Sequence, residues 1–138
     1  MNVRGAIERI ALADARRFEE RMRGLQRQAL EKCRDDSTRR LIQDLIAEED
    51  DHLRQLDGMS ASESRSNGGK HPELRGETVC ERLEEMLAME KAAVAFYDLL
   101  AERTPVPAVR DVFRTLADAE RGHEARLAHH IREVCGNA

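Results

Sequence analysis

The sequence contains two copies of the motif Glu-x-x-His, and a further glutamate precedes each copy at the same interval. The six residues concerned are Glu19, Glu49, His52, Glu90, Glu120 and His123. Residues three apart share one face of a helix, so each motif presents a carboxylate and an imidazole together. These two groups in combination bind divalent transition metals. The pattern therefore predicts metal chemistry.

The two motifs belong to an internal repeat. Residues 12–56 align with residues 83–127 without a gap, and this alignment of the two halves pairs the six candidate residues type for type. One explanation is a duplicated metal-binding helical hairpin. The alternative is an old duplication whose charged residues now lie on solvated helix faces.

The residues around the motifs favour the first explanation. Leu45 and Leu56 flank Glu49 and His52 at helical spacings of four, three and four, so the motif lies on an apolar stripe. Buried carboxylates need a compensating cation, and the stripes hold no Lys or Arg near the six positions. One Glu from each of two helices and Glu-x-x-His from each of two others form the ligand set of di-iron and di-manganese bundles. Two divalent ions are therefore predicted.

The composition predicts helix nearly throughout. Charged residues make up 36% and aromatic residues 3% of the chain, with no Trp, and this composition is poor in strand formers. Glycine and proline confine the breaks to a few places. The predicted helices span residues 4–33, 38–57, 76–103 and 107–134, with Ser37 as the N-cap of the second.

The predicted connection between the second and third helices, residues 58–75, is rich in serine and glycine and long for a compact domain. Two short-looped hairpins joined by one long crossover form the ferritin-like four-helix bundle. The fold prediction is therefore all-α, a single domain over residues 1–138 with hairpins at 4–57 and 76–134. A long linker also allows two chains to exchange hairpins, so a domain-swapped dimer is an alternative.

Charge and hydropathy argue against several classes of protein. The net charge is -4, and basic residues are spread along the chain, so no nucleic-acid footprint is visible. No apolar run approaches the ~20 residues of a membrane span. The N-terminal residues lack the apolar stretch of a secretion signal, so we expect a cytoplasmic protein.

Other polar residues are expected to have ordinary roles. Cys33, Cys80 and Cys135 are odd in number and widely spaced, so we expect reduced structural thiols. Tyr97, two helical turns after Glu90, is either a core residue or a hydrogen-bond donor to a ligand carboxylate. A solvated position at the surface is predicted for His71, His129, His130, Glu48, Asp50 and Asp51.

Two segments resemble the rubrerythrin family of the ferritin-like superfamily. Residues 89–97, Met-Glu-Lys-Ala-Ala-Val-Ala-Phe-Tyr, are similar to the family's E-x5-(F/Y)-Y helix. Residues 116–123, Leu-Ala-Asp-Ala-Glu-Arg-Gly-His, are similar to its LA-x-x-E-x-x-H helix. The resemblance implies reduction of hydrogen peroxide at a di-iron centre, with iron oxidation and storage as related activities. It also divides the ligands into three pairs: terminal Glu19 and Glu90, bridging Glu49 and Glu120, and His52 and His123, which cap one iron each.

The sequence departs from this family at three points. These residues include no rubredoxin domain with paired CxxC motifs, so electrons would come from an external donor such as a rubredoxin-type protein. Ala93 stands where many rubrerythrins have an additional Glu, which makes the site more symmetric, like a bacterioferritin ferroxidase centre. Leu25 and Gln26 stand where the family often has an aromatic residue and Tyr.

Three functions are open from the sequence. The first is a di-iron enzyme that reduces peroxide or dioxygen, and the second is a protein that oxidises, stores or handles iron(II). The third is a metal-free helical interaction module. Manganese or zinc could occupy the same ligands, and a homodimer without nucleic-acid or membrane partners is expected.

Overall fold

The computed structural model describes residues 3–59 and 73–136, with side chains from residue 8 onward. Within these residues the chain forms four α-helices and no strand. The helices are α1 (Val3–Lys32), α2 (Asp36–Met59), α3 (Val79–Arg103) and α4 (Pro107–Cys135). This confirms the predicted all-α, four-helix architecture. None of these helices is both long and apolar enough to cross a membrane.

Local capping explains where two of the helices begin. The Asp35 carboxylate accepts hydrogen bonds from the Thr38 backbone N–H at 2.9 Å and from the Ser37 hydroxyl at 2.6 Å. The prediction of Ser37 as the N-cap is therefore wrong, because Asp35 precedes α2 and satisfies a free N–H of its first turn. Thr78 and Glu81 form a reciprocal capping box at the start of α3, which places that start after the predicted residue 76.

The helix ends define a crossover. Asp57, near the end of α2, pairs with Arg16 in the first half of α1. The backbone N–H of Leu74, just before α3, donates to the Gln28 side chain near the end of α1 at 2.9 Å. The end of α2 and the start of α3 therefore lie at opposite ends of the bundle. Of the predicted linker 58–75, residues 60–72 lie outside the described part of the chain, and α2 continues to Met59.

Two apolar clusters fill the bundle, and each draws on all four helices. One surrounds Tyr97 and Phe113, and the other surrounds Leu45 and Met86. The candidate ligands lie between the two clusters along every helix. The apolar packing above and below this layer fixes the rotation of each helix and directs the polar side chains inward.

Cys80 at the start of α3 and Cys135 at the end of α4 form a disulfide, with a Cα–Cα distance of 5.9 Å. The expectation of reduced thiols is wrong for this pair. The two cysteines lie 55 residues apart in sequence, but the antiparallel pairing of α3 and α4 brings their helix ends together. Cys33 is free and buried.

Candidate metal centre

Each helix contributes one glutamate to the middle of the bundle. These glutamates are Glu19 (α1), Glu49 (α2), Glu90 (α3) and Glu120 (α4), and none is more than 1% exposed. His52 and His123 follow Glu49 and Glu120 by about one helical turn and are 6% and 1% exposed. All six predicted residues therefore lie in the core rather than on solvated faces.

The six residues form two overlapping groups of possible metal ligands. One group consists of Glu19, Glu49, His52 and Glu120, and the other of Glu49, Glu90, Glu120 and His123. Within each group, one ligand atom per residue lies within 4.8 Å of the others. Glu49 and Glu120 belong to both groups, which is the arrangement that two bridging carboxylates require.

Both imidazole rings turn Nδ1 toward the carboxylates. His52 Nδ1 lies 2.9 Å from Glu49 Oε1 and 3.3 Å from an oxygen of Glu19 and of Glu120. His123 Nδ1 lies 3.2 Å from Glu120 Oε1 and 3.7 Å from Glu49 Oε2. The two rings stack with centroids 5.8 Å apart and an interplanar angle of 15°. Both Nδ1 atoms thus lie close to the two shared carboxylates, Glu49 and Glu120.

Many buried polar atoms at this centre have no hydrogen-bond partner among the described residues. They include Oε2 of Glu19, Oε1 of Glu49, Oε2 of Glu90, both carboxylate oxygens of Glu120, and Nδ1 of His52 and His123. The close contacts of the two Nδ1 atoms with carboxylate oxygens are ion-pair contacts without the geometry of a hydrogen bond. Buried polar atoms are normally satisfied, and in the described part of the chain no Lys or Arg lies within ion-pairing distance of the four carboxylates. The donor set fits two divalent ions, because four carboxylates balance their charge and two imidazoles complete the coordination.

Burial and mutual contact change the protonation of the cluster. Burial, with the neighbouring Glu49 carboxylate, raises the pKa of Glu19 to about 7. Burial also raises the pKa of Glu90 well above its ordinary value. Burial lowers the pKa of His52, but the three carboxylates around the ring outweigh that effect and raise it to about 12. The same balance raises the pKa of His123. Without metal, the cluster therefore holds protons that a bound cation would displace.

Two side chains hold the candidate ligands from outside the group of six. The Tyr97 hydroxyl donates a hydrogen bond to Glu19 Oε1 at 2.6 Å. This agrees with the sequence interpretation of Tyr97 as a hydrogen-bond donor to a ligand carboxylate. The Gln26 amide donates to Glu49 Oε2 at 3.1 Å and to Glu90 Oε1 at 3.3 Å. Sequence reasoning gave Gln26 no role at the site, although the alignment of the two halves pairs it with Tyr97.

Glu48 is a second residue whose contacts the sequence did not reveal. Its carboxylate Oε1 lies 3.3 Å from His123 Nε2, and its Oε2 accepts a hydrogen bond from Arg126 at 2.9 Å. Burial raises the pKa of Glu48, but the charges of His123 and Arg126 outweigh burial and lower it. Glu48 keeps 41% of its side chain accessible, as predicted, but its carboxylate also contacts α4, which the sequence did not predict. Asp50 and Asp51, by contrast, form ion pairs at the surface.

The remaining histidines have different positions. His129 is exposed, as predicted, with 68% of its side chain accessible. His130 is half-buried, and its Nε2 lies 2.6 Å from the buried Thr38 hydroxyl, so the prediction of a solvated surface position is wrong for it. His130 links α4 to the start of α2. His71 lies outside the described residues.

The fold and the centre define a class: a four-helix bundle with a buried carboxylate and histidine site. Residues 81–137 match the family model described as Rubrerythrin. This segment contains Glu90, Glu120 and His123, and the match is consistent with a rubrerythrin-like, ferritin-like family. No curated protein and no solved structure matches the chain. The matched segment and the cluster together indicate a metal-binding site.

Proposed function

We propose that the protein is a di-iron enzyme that reduces hydrogen peroxide to water with electrons from an external donor. The observation that carries the proposal is the pair of overlapping ligand groups that share Glu49 and Glu120. The match of residues 81–137 to the rubrerythrin model supports iron as the metal, and peroxide is the substrate that the resemblance to this family implies. Glu19 and Glu90 would be terminal ligands, as the resemblance implies.

Two ferrous ions at this centre would supply the two electrons that convert peroxide and two protons to two molecules of water. The contribution of the chain is to hold and shield the centre. Glu49 and Glu120 hold the two positions together, and the apolar clusters above and below exclude bulk water. Burial raises the pKa of Tyr97 well above its ordinary value, so the hydroxyl keeps its proton. Tyr97 thus remains a donor that orients the Glu19 carboxylate.

Oxidation of iron(II) for storage or transfer is the alternative function, and Ala93 favours it. Ala93 is completely buried on α3, one turn after Glu90, so this position offers no additional carboxylate. The six ligands then form a more symmetric set, which resembles a ferroxidase centre. Manganese or zinc is an alternative occupant of the same donor set.

Metal analysis followed by single-turnover kinetics tests the proposal. The full chain is purified anaerobically, its iron is counted, and the ferrous form is mixed with peroxide or with dioxygen. We expect two irons per chain and faster oxidation by peroxide. Faster oxidation by dioxygen would favour the ferroxidase alternative, and a folded chain that binds no metal would favour an interaction module.

The external donor, the oligomeric state and the location are parts of the same proposal. We propose a small electron-transfer protein of the rubredoxin type as the donor, and a homodimer, with hairpins exchanged or not, as the assembly. Sedimentation measures the assembly. We also propose a cytoplasmic location. Fractionation of cells followed by immunodetection tests the location, and recovery of the protein outside the cytoplasmic fraction would contradict it.

A further inference from the structure

The two histidines of the centre differ on their outer sides. The outer nitrogen of His123, Nε2, is buried and has no hydrogen-bond partner among the described residues. Glu48 Oε1 lies 3.3 Å from His123 Nε2. Among the described residues, Glu48 is the only carboxylate within ion-pairing distance of this nitrogen. Arg126, one turn along α4, holds the other oxygen of Glu48 at 2.9 Å.

Among the residues that the structure describes, His52 has no contacts that correspond to these. The alignment of the two halves places Ala119 at the position of Glu48 and Gln55 at the position of Arg126. A methyl group accepts no hydrogen bond, and all ion pairs of His52 among the described residues involve Nδ1. The side chain of His52 is also more accessible, at 8% against 1% for His123. The two halves of the repeat therefore supply the same ligand types. Among the described residues, however, only His123 has a carboxylate near its outer nitrogen.

A metal on Nδ1 requires the proton of the neutral imidazole to be on Nε2. A carboxylate that accepts a hydrogen bond from this N–H fixes the tautomer, orients the ring and strengthens the ligand, and removing such a partner typically costs about 10–100-fold in metal affinity. Glu48 is within reach of this role at His123. Nothing equivalent in the described structure acts on His52.

We propose that Glu48 is a positioning residue that makes the two metal positions unequal. The position bounded by Glu90 and His123 binds its ion more tightly and fills first, whereas the position bounded by Glu19 and His52 holds the more exchangeable ion. The inference rests on the proposed two-metal centre. It adds an order of filling, which the ligand set alone does not give.

Stepwise titration of the metal-free full chain with cobalt(II), followed by calorimetry and by the visible spectrum of the ion, measures both positions. We expect two steps in the unmodified protein, separated by about tenfold or more in affinity. Glu48→Ala should weaken the tighter step and leave the weaker one unchanged. Asp51→Asn is the matched control, because it removes an exposed charge from the same helix without touching His123.

Two further readouts separate positioning from a general structural effect. In the zinc-loaded protein, nitrogen NMR should show a protected Nε2–H on His123 that Glu48→Ala exposes to exchange and Glu48→Gln restores. The double variant Ala119→Glu with Gln55→Arg copies the Glu48 and Arg126 pair onto the other half of the repeat. It should strengthen the weaker step and reduce the separation between the two.

The outcomes distinguish this inference from the proposed function. Binding of two ions with no change in either step on Glu48→Ala would overturn the role of Glu48 and leave the two-metal centre intact. Equal weakening of both steps would also overturn it. A folded chain that binds fewer than two ions would overturn both proposals.

Discussion

At the scale of single residues, the charges at the centre depend on one another. Four buried carboxylates and two imidazoles lie within a few ångströms, whereas Arg23 and Arg126 pair with Asp50 and Glu48 instead. Removing one ligand therefore changes the charge and the coordination together. The effect on metal binding should exceed the effect on folding, because the metal-free chain loses a buried charge that was costly to keep.

Replacing a shared carboxylate tests this argument. Glu120→Ala removes a residue that belongs to both ligand groups, so the variant should bind at most one ion while its helices remain folded. Metal content after anaerobic loading, with circular dichroism on the same sample, measures both. Glu84→Ala on the exposed side of α3 is the control. Unchanged stoichiometry in Glu120→Ala would remove this residue from the centre.

Replacing Tyr97 isolates a single hydrogen bond. Tyr97→Phe keeps the ring in its apolar cluster but leaves Glu19 Oε1 without its 2.6 Å donor. An unsatisfied buried acceptor costs about 1–3 kcal/mol, so the free energy of unfolding of the metal-free chain should fall by about that amount. Urea denaturation measures it. If the metal-free variant has the same free energy of unfolding as the unmodified chain, and the variant still binds two ions when metal is added, the hydroxyl has no structural role.

At the scale of elements, helix type and approximate extent could be predicted because proline, glycine and the apolar period are local signals. The six candidate residues could be predicted because the repeat places them on matching faces. The capping role of Asp35, the contacts of Glu48 and the contacts of Gln26 could not. They depend on loop geometry and on the rotation of one helix against another, which no spacing within a single helix encodes.

The disulfide is the element-scale feature with the clearest effect on stability. Cys80→Ser with Cys135→Ser removes a cross-link that closes a loop of 55 residues, so the free energy of unfolding should fall by about 2–4 kcal/mol. Metal stoichiometry should not change, because the bond lies at the end of the α3–α4 hairpin and not in the ligand layer. Denaturation of oxidised and reduced protein measures the difference. Equal stability in both forms would contradict the prediction, and Cys33→Ser serves as the thiol control.

At the scale of the whole molecule, the bundle alternates apolar, charged and apolar layers along its axis. The apolar layers position the charged one, and the charged layer opposes folding unless protons or metal ions neutralise it. The ionisation of a few central groups therefore couples to the stability of all four helices. The pKa values of Glu19, His52 and His123 are raised in the folded chain. Loss of protons from these groups therefore lowers the stability of the metal-free bundle.

The metal-free protein should lose stability as the pH rises from 6 to 9. Glu19 has a folded pKa of about 7 against an ordinary 4.5, and His52 has about 12 against 6.5. Both groups bind a proton more strongly in the folded chain, so the stability they contribute is complete below the ordinary value and is lost as the pH rises toward the folded value. Metal displaces these protons, so metal affinity should instead increase with pH, by up to about tenfold per pH unit for each proton released. Thermal unfolding of the metal-free chain and proton release on adding zinc measure the two trends. His129→Asn, at an exposed histidine, should leave both unchanged, whereas a melting temperature that rises from pH 6 to 9 in the metal-free chain would show that the buried cluster does not hold these protons.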